Sequence, residues 1–300
     1  MSKLRKCLAI ASGSALAGSA DAAWKVNMPV GVTDMSREIH SLHMLIFWVC
    51  VVIAVLVFGA MIYSIVAFRK SKAAIPDTTL THSTKIEVIW TVIPILILIA
   101  MAIPAAETLV KIEDTRNSQL SIKVTGYQWK WHYEYLDQGV SFFSTLARDS
   151  NAARQLHSGI DPYTVPNYLL EVDNRLVVPV DTKVRVLLTA GDVIHAWWVP
   201  EFGVKKDAIP GFVNEAWFRA HVPGVYRGQC AELCGRDHGF MPVVVEVKSK
   251  ADFDAWLQEQ KKNQAPASAP AGEAPAPGAA APQADNIQST SATHFVAHAE

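Results

Sequence analysis

The chain is poor in charge. Only 18% of its 300 residues are Asp, Glu, Lys or Arg, and they nearly cancel, to a net charge of −1. No Lys/Arg cluster stands away from the flanks of apolar runs, so the basic field that grips phosphate is missing and nucleic acid is not an expected partner. Cysteine is scarce too, at four, which excludes a disulfide-dense scaffold, and no Cys-x-x-Cys-His motif offers a covalent haem attachment. The sharpest deficits are local: residues 42–68 and 88–106 contain no Asp, Glu, Lys or Arg at all.

Each of those runs is long enough to cross a hydrocarbon core of about 30 Å as a helix, so two membrane spans and a lipid bilayer as partner are expected. Pro94 and Pro104 are compatible with a span because neighbouring helices can satisfy the freed carbonyls. Residues 1–22 combine a basic start (Lys3, Arg5, Lys6), a short apolar stretch and small residues at Ala20–Ala22, the pattern of a cleaved signal peptide. In the loop 69–87, Arg69, Lys70, Lys72 and Lys85 outnumber Asp77 and Glu87, which marks it as cytoplasmic. The segment 23–41 and everything after about residue 107 then lie outside a bacterial-type inner membrane, in the periplasm.

From Gln119 to Lys248 the sequence turns to short β-rich runs: 120–135, 169–172, 176–180, 183–190, 193–200, 216–222 and 243–247. Such spacing indicates a sandwich or barrel. Residues 137–166 read as a polar insertion. Ser249 and Asp252 form a capping pattern for a closing helix within a domain spanning 107–262. The Pro/Ala-rich tail, 263–300, has too little apolar surface to offset its ordering entropy and is expected to be disordered.

The chemistry concentrates in Cys230-Ala-Glu232-Leu-Cys234-Gly-Arg-Asp-His238-Gly-Phe-Met241. Two thiols four apart, an imidazole four further on and a thioether three beyond that make a soft donor set suited to copper. A single blue-copper ion needs one Cys, so the second argues for a second copper bridged by both sulfurs. Another imidazole is required, and His195, on the apolar run 193–198, is the candidate. A Cys230–Cys234 disulfide and a structural zinc site are the alternatives, but zinc leaves Met241 without a role. Cys7 and Cys50 fall in the signal and in a span. The run 126–135 puts Tyr127, Trp129, Trp131, Tyr133 and Tyr135 on one face of a strand, an aromatic wall from which one exposed Trp could receive an electron.

In order along residues 36 to 260, the hairpin, this aromatic run, Asp192-Val-Ile-His195, Lys206-Asp-Ala-Ile-Pro-Gly211 and Gly228-Gln-Cys230 through Pro242 resemble cytochrome c oxidase subunit II. The resemblance implies a two-helix transmembrane hairpin followed by an all-β cupredoxin-like Greek-key barrel with a binuclear copper-A centre. Its copper ligands would be His195, Cys230, Cys234, His238, Met241 and the carbonyl of Glu232, while the Glu232 carboxylate would bind a magnesium ion shared with subunit I. Trp129 would accept electrons from cytochrome c, met by surface acids such as Glu134, Asp137, Glu171 and Asp173. Glu87, three residues before Trp90, would stand at the mouth of the proton pathway into subunit I. Subunits I and III are the implied partners in an oxygen-reducing, proton-translocating complex, this chain not being catalytic alone. Tyr127 stands where the family usually has His, and Phe212 where Arg often follows the Ile-Pro-Gly motif. Three other functions are less well matched. A quinol oxidase subunit would lack these ligands, a copper-delivery protein would need no aromatic strand, and nitrous oxide reductase carries a large catalytic domain for which this chain has no room.

Overall fold

The computed structural model describes residues 27–72, 79 and 81–264. The expected signal peptide, 1–22, and the tail beyond Gln264 lie outside the described residues. Helix α1 runs Asp34–Ala67 and α2 runs Thr84–Ile112. Both are longer than the uncharged runs, because the polar turns around Glu38 and Glu107 stay helical where they meet the rest of the protein. In consequence the first helix starts inside the segment expected to precede it. The most apolar 18-residue window of either helix has no buried residue. Val55, Leu56, Leu96 and Leu98, all exposed, would therefore require lipid as their solvent. The helices are antiparallel neighbours, tied at one end by Thr108 Oγ1 and Lys111 Nζ, which donate to Glu38 Oε1 at 3.3 and 2.6 Å.

Beyond α2 the chain makes two facing five-stranded sheets. One contains β1 (Leu120–Tyr127), β2 (Lys130–Tyr135), β3 (Val140–Ser144), β5 (Val184–Ala190) and β8 (Asn214–Phe218), in the order β3-β2-β1-β5-β8. The other contains β4 (Leu176–Pro179), β6 (His195–Val199), β7 (Val204–Ala208), β9 (Gly224–Cys230) and β10 (Pro242–Lys248), ordered β4-β10-β9-β6-β7. Pairings are antiparallel except β1 with β5 and β4 with β10. Period-two alternation sends Ile122, Val124, Val186 and Leu188 of one sheet against Trp197, Val243 and Val245 of the other. Each such side chain contributes roughly 1.5–3 kcal/mol when fully buried. A short helix, α3 (Arg148–Ala153), and the closing helix, α4 (Lys250–Gln264), complete the domain; α4 buries Phe253 and Leu257.

The run 120–135 is not one strand. It folds as the β1–β2 hairpin, with Gln128 and Trp129 at the turn and Trp131, Tyr133 and Tyr135 alone forming the buried wall. Residues 169–172 make only an isolated bridge, Leu146 with Val172, and the polar insertion holds β3 and α3.

The first helix is stapled to the barrel. Thr33 caps α1 through Ser36, donates to Phe202 O at 2.7 Å and pairs with Ala220 in a β-bridge. Next to it, His221 places Nδ1 2.6 Å from Asp181 Oδ1 and Nε2 2.6 Å from Asp34 Oδ1, and Arg219 reaches the same Asp34. Hydrogen bonds to Asp181 and then to Asp34 raise the His221 pKa above the ordinary value of 6.5. A raised folded-state pKa gives stability that is complete below the unfolded value and is lost as pH rises through the folded one. His221→Gln is expected to lower the thermal midpoint most at about pH 5.5, with the difference from the parent shrinking toward about pH 9. A midpoint difference that is constant or grows with pH in detergent-solubilised protein would contradict this ion-pair staple.

Candidate metal centre

The buried edge of the β6–β9–β10 sheet gathers the soft donors. Register pairs Trp197 with Cys230, so the first residue of β6, His195, lies beside the last residue of β9. The loop leaving β9 then returns to β10 through a single 3-10 turn, His238–Phe240, which brings Cys234, His238 and Met241 back over the strand ends. Cys230 Sγ lies 3.8 Å from Cys234 Sγ and 3.9 Å from His195 Nδ1. Cys234 Sγ lies 3.6 Å from His238 Nδ1 and 3.6 Å from Met241 Sδ. The Glu232 carbonyl is 3.3 Å from Cys230 Sγ, while its carboxylate belongs to an exposed side chain outside the cluster. Both cysteines are free, so the disulfide alternative does not describe this structure.

His195 is fully buried, and its orientation is set by a residue to which the sequence reading gave no role. Asp192 Oδ1 lies 3.0 Å from Nε2, and with Nε2 donating to it, Nδ1 is left as an acceptor facing Cys230. A carboxylate three residues before a suspected metal-binding His was the available signal. Gly126 gives the ring its room, since a Cβ there would stand 2.8 Å from His195 Cδ2. Trp131 packs edge-on against the imidazole at 5.9 Å and donates through Nε1 to the Met241 carbonyl at 3.4 Å.

The donor chemistry fits a cation. Burial pushes both thiols up. At Cys230, hydrogen bonds with a protonated His195 ring and with the backbone of Ala196 and Glu232 outweigh it and bring the thiol down to about 7. At Cys234, burial and the negative charge of Cys230 push the thiol up to about 12. One thiolate forms readily and the second is opposed, the frustration that a positive ion among them removes. Two sulfurs shared at the centre, an imidazole at either side and a buried thioether suit copper, and zinc has no use for Met241.

Trp129 sits at the β1–β2 turn, half-buried, and its Nε1 donates to the Cys234 carbonyl at 3.2 Å. Gln128 Nε2 donates to the same oxygen at 2.8 Å. Gly235 has φ +116°, a conformation that disfavours side chains, and an added Cβ would meet both the Gln128 amide and the Trp129 ring at 3.1 Å. Glu87 is not part of this cluster. It occupies the first turn of α2, at the helix end opposite the one that leads into β1.

Models of two families match the chain: the periplasmic domain of cytochrome c oxidase subunit II over residues 120–248, and its transmembrane domain over residues 21–107. A probable cytochrome c oxidase subunit 2 of Rickettsia conorii is 41% identical over 80% of this chain and 73% of its own. Cytochrome c oxidase subunit 2 of Arabidopsis thaliana is 38% identical over 79% of this chain and 90% of its own. Among solved structures, the periplasmic domain of subunit II of cytochrome oxidase of Bradyrhizobium japonicum matches at 44% identity and a TM-score of 0.43. It covers 50% of this chain and 99% of that one. Its two apolar helices, its two-sheet β-domain and its relatives together show that the chain is a membrane protein belonging to the cytochrome c oxidase subunit II family, a subunit of the oxidase complex.

Proposed function

We propose that this subunit is the electron inlet of its oxidase, receiving single electrons from reduced cytochrome c and passing them to subunit I, where oxygen is reduced with proton translocation. The observation that carries the reading is the cluster of buried His195, Cys230, Cys234 and Met241 with the half-buried His238, and an indole hydrogen-bonded to its loop. These five side chains and the Glu232 carbonyl would hold two coppers. When bound, the pair supplies a one-electron store delocalised over both ions.

The protein's own part is to fix and to connect. The ends of strands β6, β9 and β10 and the loop between the last two hold the donors, four of the five side chains being buried, so that few dipoles need to move when charge changes. Asp192 keeps the His195 tautomer, and Trp131 and Met241 lock the loop's return. Trp129 bridges the surface and the centre, one hydrogen bond away from a ligand residue. The barrel would face the periplasm, with the loop that begins after α1 on the cytoplasmic side. The exposed Glu232 carboxylate offers magnesium a hard oxygen at the border with subunit I. Glu87, at the cytoplasmic start of α2, would stand where protons are taken up.

Metal analysis and paramagnetic resonance of the full chain in detergent are expected to find two coppers sharing one unpaired electron. Cys234→Ser should abolish that signature, because a hydroxyl is a poor soft bridge; a single copper, or zinc alone, would overturn the reading. In the purified complex, Trp129→Phe is expected to slow stopped-flow reduction by cytochrome c roughly tenfold or more with the copper signal intact. Transfer as fast as in the parent would return Trp129 to the status of packing. Glu87→Ala should lower steady-state turnover several-fold while copper content and electron acceptance stay as they were. Unaltered turnover across a range of pH would make it a solvated boundary charge.

A further inference from the structure

The metal loop is held at its start by the β1–β2 turn, which binds the carbonyl of Cys234. The residues that follow, 235–240, carry His238 and lead into Met241, and their backbone is weakly restrained. Gly235 has φ +116°, and a Cβ on Gly239 would meet nothing within 4 Å. Their own hydrogen bonds are local: His238 N–H donates to the Gly235 carbonyl at 3.2 Å and Phe240 N–H to the Asp237 carbonyl at 2.9 Å. A single 3-10 turn of this kind has poor hydrogen-bond geometry and does not fix itself against a domain.

Arg154 supplies the anchor. It is the C-cap residue of α3; its Nη1 lies 3.4 Å from Asp237 Oδ1, and its guanidinium carbon sits 4.2 Å from the centroid of the Phe240 ring. Nε donates to Asn151 Oδ1 at 2.8 Å, which sets the plane of the group. The Arg154 and Asp237 side chains are 22% and 16% exposed, so water screens them less than a surface pair. Arg236 also approaches Asp237, at 3.6 Å, but it belongs to the same turn and cannot tie that turn to anything else. The platform behind Arg154 is firm. Ser150 and Ala153 of α3 are buried, and Ser150 Oγ accepts from Leu169 N–H at 3.1 Å. Glu171 pairs at 2.6 Å with Arg227 on β9, the strand that ends in Cys230. The excursion between β3 and β4 therefore grips the metal loop twice, on the strand that enters it and on the turn that leaves it.

We infer that Arg154 is a positioning residue for the metal centre: its guanidinium holds the residue before His238 and the residue before Met241, and so fixes together the two donors that stand beside Cys234. The inference rests on the two-copper reading above. His195 and Cys230 are set by strand register and do not depend on this contact. Loss of Arg154 loosens one side of the site and leaves the other in place. Arginine suits the task, because one planar group pairs with a carboxylate at its edge while its face stacks on a ring, which an ammonium cannot do.

The test uses the full chain in detergent, copper-loaded and copper-free, as the parent, Arg154→Ala, Arg154→Lys, Asp237→Asn and Arg154→Ala combined with Asp237→Asn. Arg148→Ala, at an exposed position on the same helix, is the control. Copper release to excess chelator is expected to be roughly fivefold faster in Arg154→Ala, the size that an ion pair and a cation–π contact give together, and less accelerated in Arg154→Lys. The combined substitution should be no faster than Arg154→Ala, because the second change removes a contact already lost. In the paramagnetic resonance of the loaded protein, the nitrogen couplings of one imidazole should shift while those of the other stay. In the copper-free chain, the initial rate of alkylation at Cys234, located by mass spectrometry, should rise several-fold with that at Cys230 unchanged. Release, couplings and alkylation all as in the parent would overturn the inference, as would equal effects in Arg148→Ala or a shift of both imidazoles together. A parent that holds a single copper, or zinc alone, would sink the copper reading itself. The two failures are distinguishable, because the alkylation rates are read without metal.

Discussion

Two buried sulfurs 3.8 Å apart are the constraint around which this domain is organised. Burial opposes ionisation of either thiol, and ionisation of one opposes the other, so the site is stable as a cation-binding site or as a neutral one but not as a pair of bare anions. The surrounding elements serve that requirement. The β6–β9 register delivers His195 to Cys230, the 3-10 turn returns His238 and Met241, and Trp131 and Trp197 are fully buried behind them. A loop that held these donors without the two-sheet core behind it would let water reach the sulfurs, and the soft-ligand preference would be diluted by hydration.

Placement of the centre relative to the membrane depends on a second set of contacts. The barrel is joined to α1 by the Thr33 bridge and the Asp34–His221–Arg219 cluster, and to α2 by several side chains. Trp217 Nε1 donates to Lys111 O at 3.1 Å, and Lys183 Nζ donates to the Asp114 and Arg116 carbonyls at 2.8 and 2.7 Å. Lys183 also lies 4.2 Å over Trp217. A cation at the carbonyl end of a helix is favoured by the helix dipole. The junction thus adds complementary partial charge to the apolar contacts of Met35 and Val32, as suits a zone between lipid and water.

The soft-donor loop was legible because its four side chains fall within twelve residues, and ligand chemistry depends on residue type more than on conformation. His195 was legible by a different logic, an imidazole on an apolar run needing a partner. The spans were legible from missing charge, but their ends were not, since Glu38 and Lys111 satisfy each other across the hairpin and let both helices continue. The strands were harder. β9 contains two glycines, an Arg and a Gln, and β7 is Val-Lys-Lys-Asp-Ala, so neither has the β-branched run that marks a strand; their pairing partners decide them. The β1–β2 turn was missed because Gln128-Trp129 carries no Gly, Asn or Asp, and what holds it lies sixty to a hundred residues away in sequence.

That turn shows how function and folding share the same bonds. The backbone N–H of Gln128 donates to Asp192 Oδ2 at 2.7 Å, while Oδ1 of the same carboxylate holds His195. On its other side, the Gln128 amide and the Trp129 indole both donate to the carbonyl of Cys234. The aromatic turn is therefore fixed simultaneously to an imidazole on β6 and to a thiol-bearing residue on the loop. Its ring cannot shift without straining one of the two donors. If Trp129 is the inlet proposed above, the separation between it and the loop is set by hydrogen bonds rather than by loose packing. The excursion between β3 and β4 adds to this rigidity from outside, because Arg154 clamps Asp237 and Phe240 between the last loop cysteine and Met241. A segment that read as a polar insertion is, by its position, a buttress of the metal loop.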